Sequence, residues 1–180
     1  MASNVKDDNP VWFAMRVTYR REMKVKDKLD DEGLEYYIPM HYTFTIRRGR
    51  KVKELVPVVR GLIFVHAPQS DVQRVKEKMP YLQYIVNRRL GTKIIVPEDQ
   101  MRLFIAVTGT CDEKLIWFNE DEVNIKAGTR VRIIAGDFEG YEGIFMKVKG
   151  ARDRRVVIAV EGVIAVALAT ISPELIEVIS

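Results

Sequence analysis

The chain has 180 residues, 47% hydrophobic and 30% charged, with 7 prolines and 11 glycines dispersed along it. This composition excludes collagen-like and low-complexity chains and leaves room for one ordinary domain or two small ones. The formal net charge is +4, the lone Cys111 excludes an internal disulfide, and two histidines without a neighbouring Cys or Asp cluster exclude a structural zinc site.

No apolar run approaches the ~20 residues that a membrane-crossing helix needs. The segment MASNVKDDNP lacks the basic start and apolar core of a secretory signal, so a cytoplasmic protein without metal, cofactor or membrane contact is expected. Residues 1–11 read as a flexible N-terminus. From Trp12 onward, Phe13, Met15 and Val17 share one parity against Arg16 and Thr18, the period of a half-buried strand. Residues 20–32 turn helical, with Val25 and Leu29 four apart among charged neighbours and Gly33 placed to end the helix.

Alternation returns over Tyr36 to Ile46, and Gly49 reads as a hairpin between that run and Val52 to Val58. The run Leu62 to Val65 suits a central strand. Ser70 and Gln73 have the spacing of a capping box ahead of Val72, Val75 and Met79 at helical spacing. Leu82 to Val86 predicts another strand, and Pro97 opens a helix that places Met101, Phe104, Ile105 and Thr108 on one face. These elements predict an α+β domain over 12–108, a mostly antiparallel sheet covered mainly on one face by helices. Residues 109–125 read as an acidic linker with Trp117 and Phe118 as apolar anchors. From Gly128 the helical period disappears, and glycine-punctuated runs predict about five short strands, a small all-β barrel over 126–180.

Charge follows the same division. Residues 12–108 carry 19 basic and 11 acidic side chains, residues 109–125 carry 1 and 5, and residues 126–180 carry 8 and 7. The first domain therefore faces any polyanion. Its cations gather in three groups: Arg47, Arg48, Arg50, Lys51 and Lys53 at the predicted hairpin tip; Arg20, Arg21 and Lys24 opening the first helix; and Arg88 with Arg89 on a later loop. Cations are disfavoured at a helix N-terminus, so the second group has a local cost that function would explain. Tyr19, Tyr42 and Tyr84 lie near these groups and suit base stacking, although strand aromatics are more often core.

Catalytic signals are lacking. None of the four serines lies in a Gly-x-Ser-x-Gly elbow, and neither His41 nor His66 has a nucleophile partner in sequence. The glycines of GDFEGYEG are followed by neither the Lys-Ser or Lys-Thr nor the helix start of a phosphate loop. No enzyme is expected.

Two features then occur in a meaningful order. The string VRIIAGDFEGYEGIF at 131–145 resembles the KOW motif. WFAMRV at 12–17 and VVRGLIFV at 58–65 resemble the first and central strands of the N-terminal domain of the NusG family of transcription elongation factors. The opening is also similar to specialised paralogues of the UpxY type, antiterminators of long polysaccharide operons.

The resemblance implies a NusG N-terminal-like domain followed by an SH3-like KOW barrel, in a monomer that binds RNA polymerase and suppresses pausing or termination. It implies that an apolar hollow open to solvent, formed by Phe13, Met15, Val59, Leu62 and Phe64, receives the tip of the polymerase clamp coiled coil. The basic groups would then approach non-template DNA or an acidic polymerase loop. Phe138 and Tyr141 of the barrel would meet a ribosomal protein or a termination factor. Val59 and Leu62 stand where better-known members carry aromatics, and Arg60 where proline is common. Val and Ile dominate 156–160 and 163–171, which favours strands and argues against a helical alternative for this half. The competing reading is a KOW-containing RNA-binding accessory of the ribosome, for which a strongly basic barrel is the expected sign.

Overall fold

The computed structural model describes residues 9–111, 114–119, 122, 124–168 and 171–180. The expected flexible N-terminus lies outside the described residues over 1–8, as do residues 112, 113, 120, 121 and 123 of the expected acidic linker. The chain divides into two compact units, residues up to 39 with 57–98, and residues 40–56 with 99–180. The expected boundaries, 12–108 and 126–180, differ from this division in where the hairpin and the third helix fall.

In the first unit, β1 (Val11–Val17) is the central strand of an antiparallel sheet with β2 (Glu35–Tyr37), β5 (Leu62–Ala67), β6 (Leu82–Tyr84) and β7 (Ile95–Val96), in the order β2-β5-β1-β6 with β7 also on β1. The register sets Ala14 opposite Phe64 and Met15 opposite Ile63. Helices α1 (Glu22–Asp31) and α2 (Gln69–Lys78) supply Val25, Leu29, Val72 and Val75 to a core with Phe13, Met15, Val17, Ile63, Val65 and Leu82. Each such side chain contributes about 1.5–3 kcal/mol by leaving water.

The junction between β1 and α1 is tightly built. Tyr19 and Arg20 both have positive φ, 62° and 52°, where a side chain strains the backbone by about 1–2 kcal/mol per residue. Glu22, the first residue of α1, is buried and its Oε1 accepts a 2.7 Å hydrogen bond from the Gly61 amide. Gly61 itself has φ of 76°, and a Cβ there would strike the Val17 carbonyl oxygen. Only glycine allows strand β5 to start this close to the end of β1.

Helix α2 starts two residues earlier than the capping-box pattern implies. Pro68 occupies the N-cap position and has no capping side chain to offer, so Ser70 lies inside the first turn. The proline fixes an extended φ of −57° and has no amide of its own to satisfy, which serves as a helix entry without a hydroxyl.

In the second unit, β3 (Met40–Arg47) and β4 (Arg50–Pro57) form a two-stranded ribbon. Arg48 and Gly49, with φ of 48° and 74°, make the turn with both central residues left-handed, as the twist of a tight hairpin requires. A backbone hydrogen bond of 2.9 Å from Val58 to Pro39 closes its base. Helix α3 (Glu98–Thr108) follows Pro97 and buries Met101, Phe104, Val107 and Thr108. A six-stranded sheet comprises β8 (Ile116–Asn119), β9 (Thr129–Ile133), β10 (Glu142–Lys147), β11 (Arg154–Val160), β12 (Ile164–Ala167) and β13 (Ile176–Val178), in the order β13-β9-β10-β11-β12-β8. The molecule thus joins an N-terminal α/β domain with an antiparallel sheet to a C-terminal all-β domain. Five of the six strands are those expected after Gly128. The sixth, β8, lies within the expected linker: it pairs with β12, and Phe118 packs among Val148, Val157, Ala165 and Ala167.

One ionic group ties α1 to α2. Glu32 meets Lys78 at 3.1 Å, Lys28 at 3.2 Å and Arg74 at 3.7 Å. Lys78, then Lys28, holds the Glu32 carboxyl below its ordinary value of 4.5. A carboxylate with a lowered folded pKa stabilises above the unfolded value and loses that contribution as pH falls through the folded one. Glu32→Gln is therefore expected to lower the urea midpoint at pH 7, and the gap from the wild type to shrink steadily below about pH 4.5. A gap of the same size at pH 7 and pH 3 would contradict this.

Candidate nucleic-acid and partner surfaces

The ribbon carries its exposed rings and two of its lysines on one face. Side chains alternate along a strand, so Tyr42, Phe44 and Ile46 of β3 share a face, and they are 41%, 51% and 80% exposed. Lys51, Lys53 and Leu55 of β4 join them: Lys53 Nζ lies 4.2 Å from the centre of the Tyr42 ring and Lys51 Nζ 4.3 Å from that of Phe44. On the opposite face Arg47 pairs with Glu54 at 2.6 Å. The ribbon is thus a strip of rings and cations ending in Arg48 and Arg50, both exposed. Such a strip offers charge for phosphates and flat surfaces for bases, each stack contributing about 1–3 kcal/mol.

The other basic groups are also exposed. Arg20, Arg21 and Lys24 surround the strained turn before α1, and the Arg21 guanidinium lies 5.5 Å from the centre of the Tyr19 ring and 4.9 Å from that of Tyr81. Arg88 and Arg89 sit on the loop that joins β6 to β7. Tyr84 is half-buried between Lys76, at 4.3 Å, and Lys93, at 5.0 Å, and burial raises its hydroxyl pKa. It is therefore a supporting residue more than a stacking platform.

The apolar group is corrected by the structure. Phe13, Met15 and Phe64 are no more than 1% exposed and Leu62 is 4% exposed. Phe13 and Met15 point into the core under α1 and α2, and Leu62 and Phe64, of the other parity, are buried as well. The sheet is buried on both faces along β1 and β5, not mainly on one, because Trp12, Ala14, Leu62 and Phe64 put apolar side chains on the second face too. These four residues are interior packing and form no open hollow. Of the five positions, only Val59 is half-buried.

Sequence reasoning also missed Phe44, Ile46 and Leu55. Their signal was parity: Phe44 and Ile46 share that of Tyr42 on one strand, and Leu55 that of Lys51 and Lys53 on the other.

In the barrel loop Phe138 and Tyr141 are half-buried, with ring centres 6.2 Å apart. His66 stacks on Trp12 at 4.9 Å, and its Nδ1 lies 2.7 Å from Glu35 and its Nε2 3.7 Å from Glu98. Among the described residues no group of three or more His, Cys, Asp and Glu side chains is arranged to hold a metal ion, and no helix is long and apolar enough to cross a membrane.

A family model described as transcription termination factor nusG matches residues 10–105. Among solved structures, the one described as "Domain interaction in Thermotoga maritima NusG" is 20% identical, with a TM-score of 0.48, covering 96% of this chain and 98% of that chain. No curated protein matches the chain.

The interior placement of Phe64 makes a direct prediction. Phe64→Ala is expected to lower the unfolding free energy by about 3–5 kcal/mol, the usual loss for a buried phenylalanine, measured by urea denaturation. A loss below about 1 kcal/mol would mark an accessible side chain instead.

Proposed function

The chain belongs to the NusG family, and we propose that it rides on transcribing RNA polymerase, suppressing pausing or termination by binding and preorganisation without a covalent step. The observation that carries this reading is the ribbon, whose rings and cations form one exposed face in a chain of this family. That face is assigned to the non-template strand or to an acidic polymerase loop. The polymerase clamp is assigned to the surface around Val59, with Phe13, Met15, Leu62 and Phe64 as the packed floor that holds this strand entry rigid. The barrel recruits a further protein through the loop bearing Phe138 and Tyr141. Action restricted to particular operons is the finer form of this reading, since an exposed strip able to stack on unpaired bases has the means to favour one leader sequence over another.

Purified core polymerase tests it. The wild-type chain is expected to be retained, and Val59→Asp to reduce retention several-fold while leaving the circular dichroism unchanged. Reversal of Arg47, Arg48 and Arg50 to Glu is expected to weaken the effect on a transcribing complex more than binding to free polymerase. Retention by ribosomes and not by polymerase would replace this reading with the ribosomal one, and equal loss in both assays would remove the ribbon from the DNA side.

A further inference from the structure

The loop between β6 and β7 is an exposed apolar tip of the first unit that is also basic. Leu90 is 72% exposed, and Val86 and Ile95 at the base of the hairpin are 47% and 48% exposed. Arg88 and Arg89 precede Leu90 directly, Lys93 follows it, and no carboxylate occurs from Tyr81 to Pro97.

The tip is held in shape. Asn87 Oδ1 accepts hydrogen bonds from the amides of Arg89 at 2.9 Å and Leu90 at 3.2 Å. The Asn87 amide donates to Thr92 O and the Gly91 amide to Asn87 O, each at 2.8 Å. Gly91 takes the left-handed φ of 66° that closes the turn. Below it, Val86 pairs with Lys93, and the amides of Ile85 and Ala14 are hydrogen-bonded to Ala14 O and Ile94 O across β1. A leucine is therefore presented on a braced tip, with two arginines beside it.

An exposed leucine whose charged neighbours along the loop are all cations is poorly suited to the rim of a protein pocket that carries its own positive charge. It is well suited to double-helical DNA. Arginines neutralise phosphates on either side of a groove, and an apolar side chain enters a base step as a wedge, at an unstacking cost of about a few kcal/mol that is lowest where pairing already ends.

We infer that the Arg88–Arg89–Leu90 tip is a second DNA contact, in which Leu90 wedges against the terminal base pair at a duplex-to-single-strand junction and the two arginines hold the flanking phosphates. This rests on the transcription reading above, but it concerns a different surface and its primary readout, on DNA alone, needs no polymerase.

The probe is a synthetic forked duplex carrying 2-aminopurine in the last base pair before the fork, with the full-length chain titrated in at several salt concentrations. Wild-type protein is expected to raise the fluorescence saturably as the base unstacks. Leu90→Ala is expected to keep its affinity within about threefold but to abolish that rise. Arg88→Ala and Arg89→Ala are each expected to weaken binding several-fold and to reduce the salt slope by about 0.9, one phosphate contact apiece. All three side chains are exposed, and circular dichroism checks that each variant folds. An unchanged fluorescence rise in Leu90→Ala, or an unchanged salt slope in both arginine variants, would overturn the inference. Loss of core polymerase retention by Leu90→Ala with an unaltered DNA signal would also overturn it, by assigning the tip to a protein. Failure of the fork assay alongside normal polymerase retention would leave the proposed function intact.

Discussion

The first unit is assembled on β1, a strand paired along both edges and buried on both faces. Trp12, Phe13, Ala14 and Met15 are each no more than 3% exposed, while the backbone meets β5 on one side and β6 and β7 on the other. A strand in that position has no freedom of register, because a one-residue slip would exchange its two apolar faces and unpair three neighbours at once. Everything displayed by the unit is referred to it. The Tyr19–Arg20 turn leaves its end, Gly61 abuts Val17, and the Asn87 loop is hydrogen-bonded back to Ala14. A strand so held gives the exposed loops of the unit fixed positions.

That double burial also separates what the sequence discloses from what it hides. The alternation of Phe13, Met15 and Val17 correctly assigns one face of β1 to the helices, and the spacing of Val25 with Leu29 and of Val72 with Val75 correctly supplies those helices. Periodicity reports which residues share a face. It does not report whether a second layer covers the other one, since Leu62 and Phe64 read alike as a docking surface and as interior. Composition at the cap was similarly ambiguous: a serine three residues ahead of a glutamine fits a capping box, yet Pro68 with its fixed φ begins the helix before Ser70 is reached. Strand β8 escaped notice because its neighbours are acidic, although the apolar pair Trp117 and Phe118 was visible. Phe118 packs among Val148, Val157, Ala165 and Ala167, whose place in space only the fold defines.

The ribbon poses the opposite physical problem, large rings left in water. Its solution is local. Lysines across the ribbon lie over the faces of Tyr42 and Phe44, an arrangement that contributes about 0.5–1 kcal/mol at exposed sites and that keeps the apolar face charged. Charged side chains on a ribbon also discourage strand addition by other chains, the usual hazard of an exposed edge. The lysines that cover the rings also carry the positive charge of the face, so protection against self-association and attraction for a polyanion come from one set of residues.

The distribution of ion pairs decides where along the chain the surplus of positive charge lies. In the barrel, Arg130 and Arg132 are engaged by Glu142 at 3.3 and 2.8 Å, and Arg132 also by Glu177 at 3.3 Å, across strands β9, β10 and β13. Glu142 raises the Arg132 pKa further above its already high value. These arginines are matched by carboxylates on neighbouring strands, so the barrel's 8 cations against 7 anions leave little field for nucleic acid. Residues 12–108, with 19 against 11, retain an excess, and three of its groups stand on turns: the ribbon tip, the start of α1 and the Asn87 loop. Pairing within residues 126–180 and surplus within residues 12–108 is a contrast that net charge alone, at +4 for the whole chain, conceals.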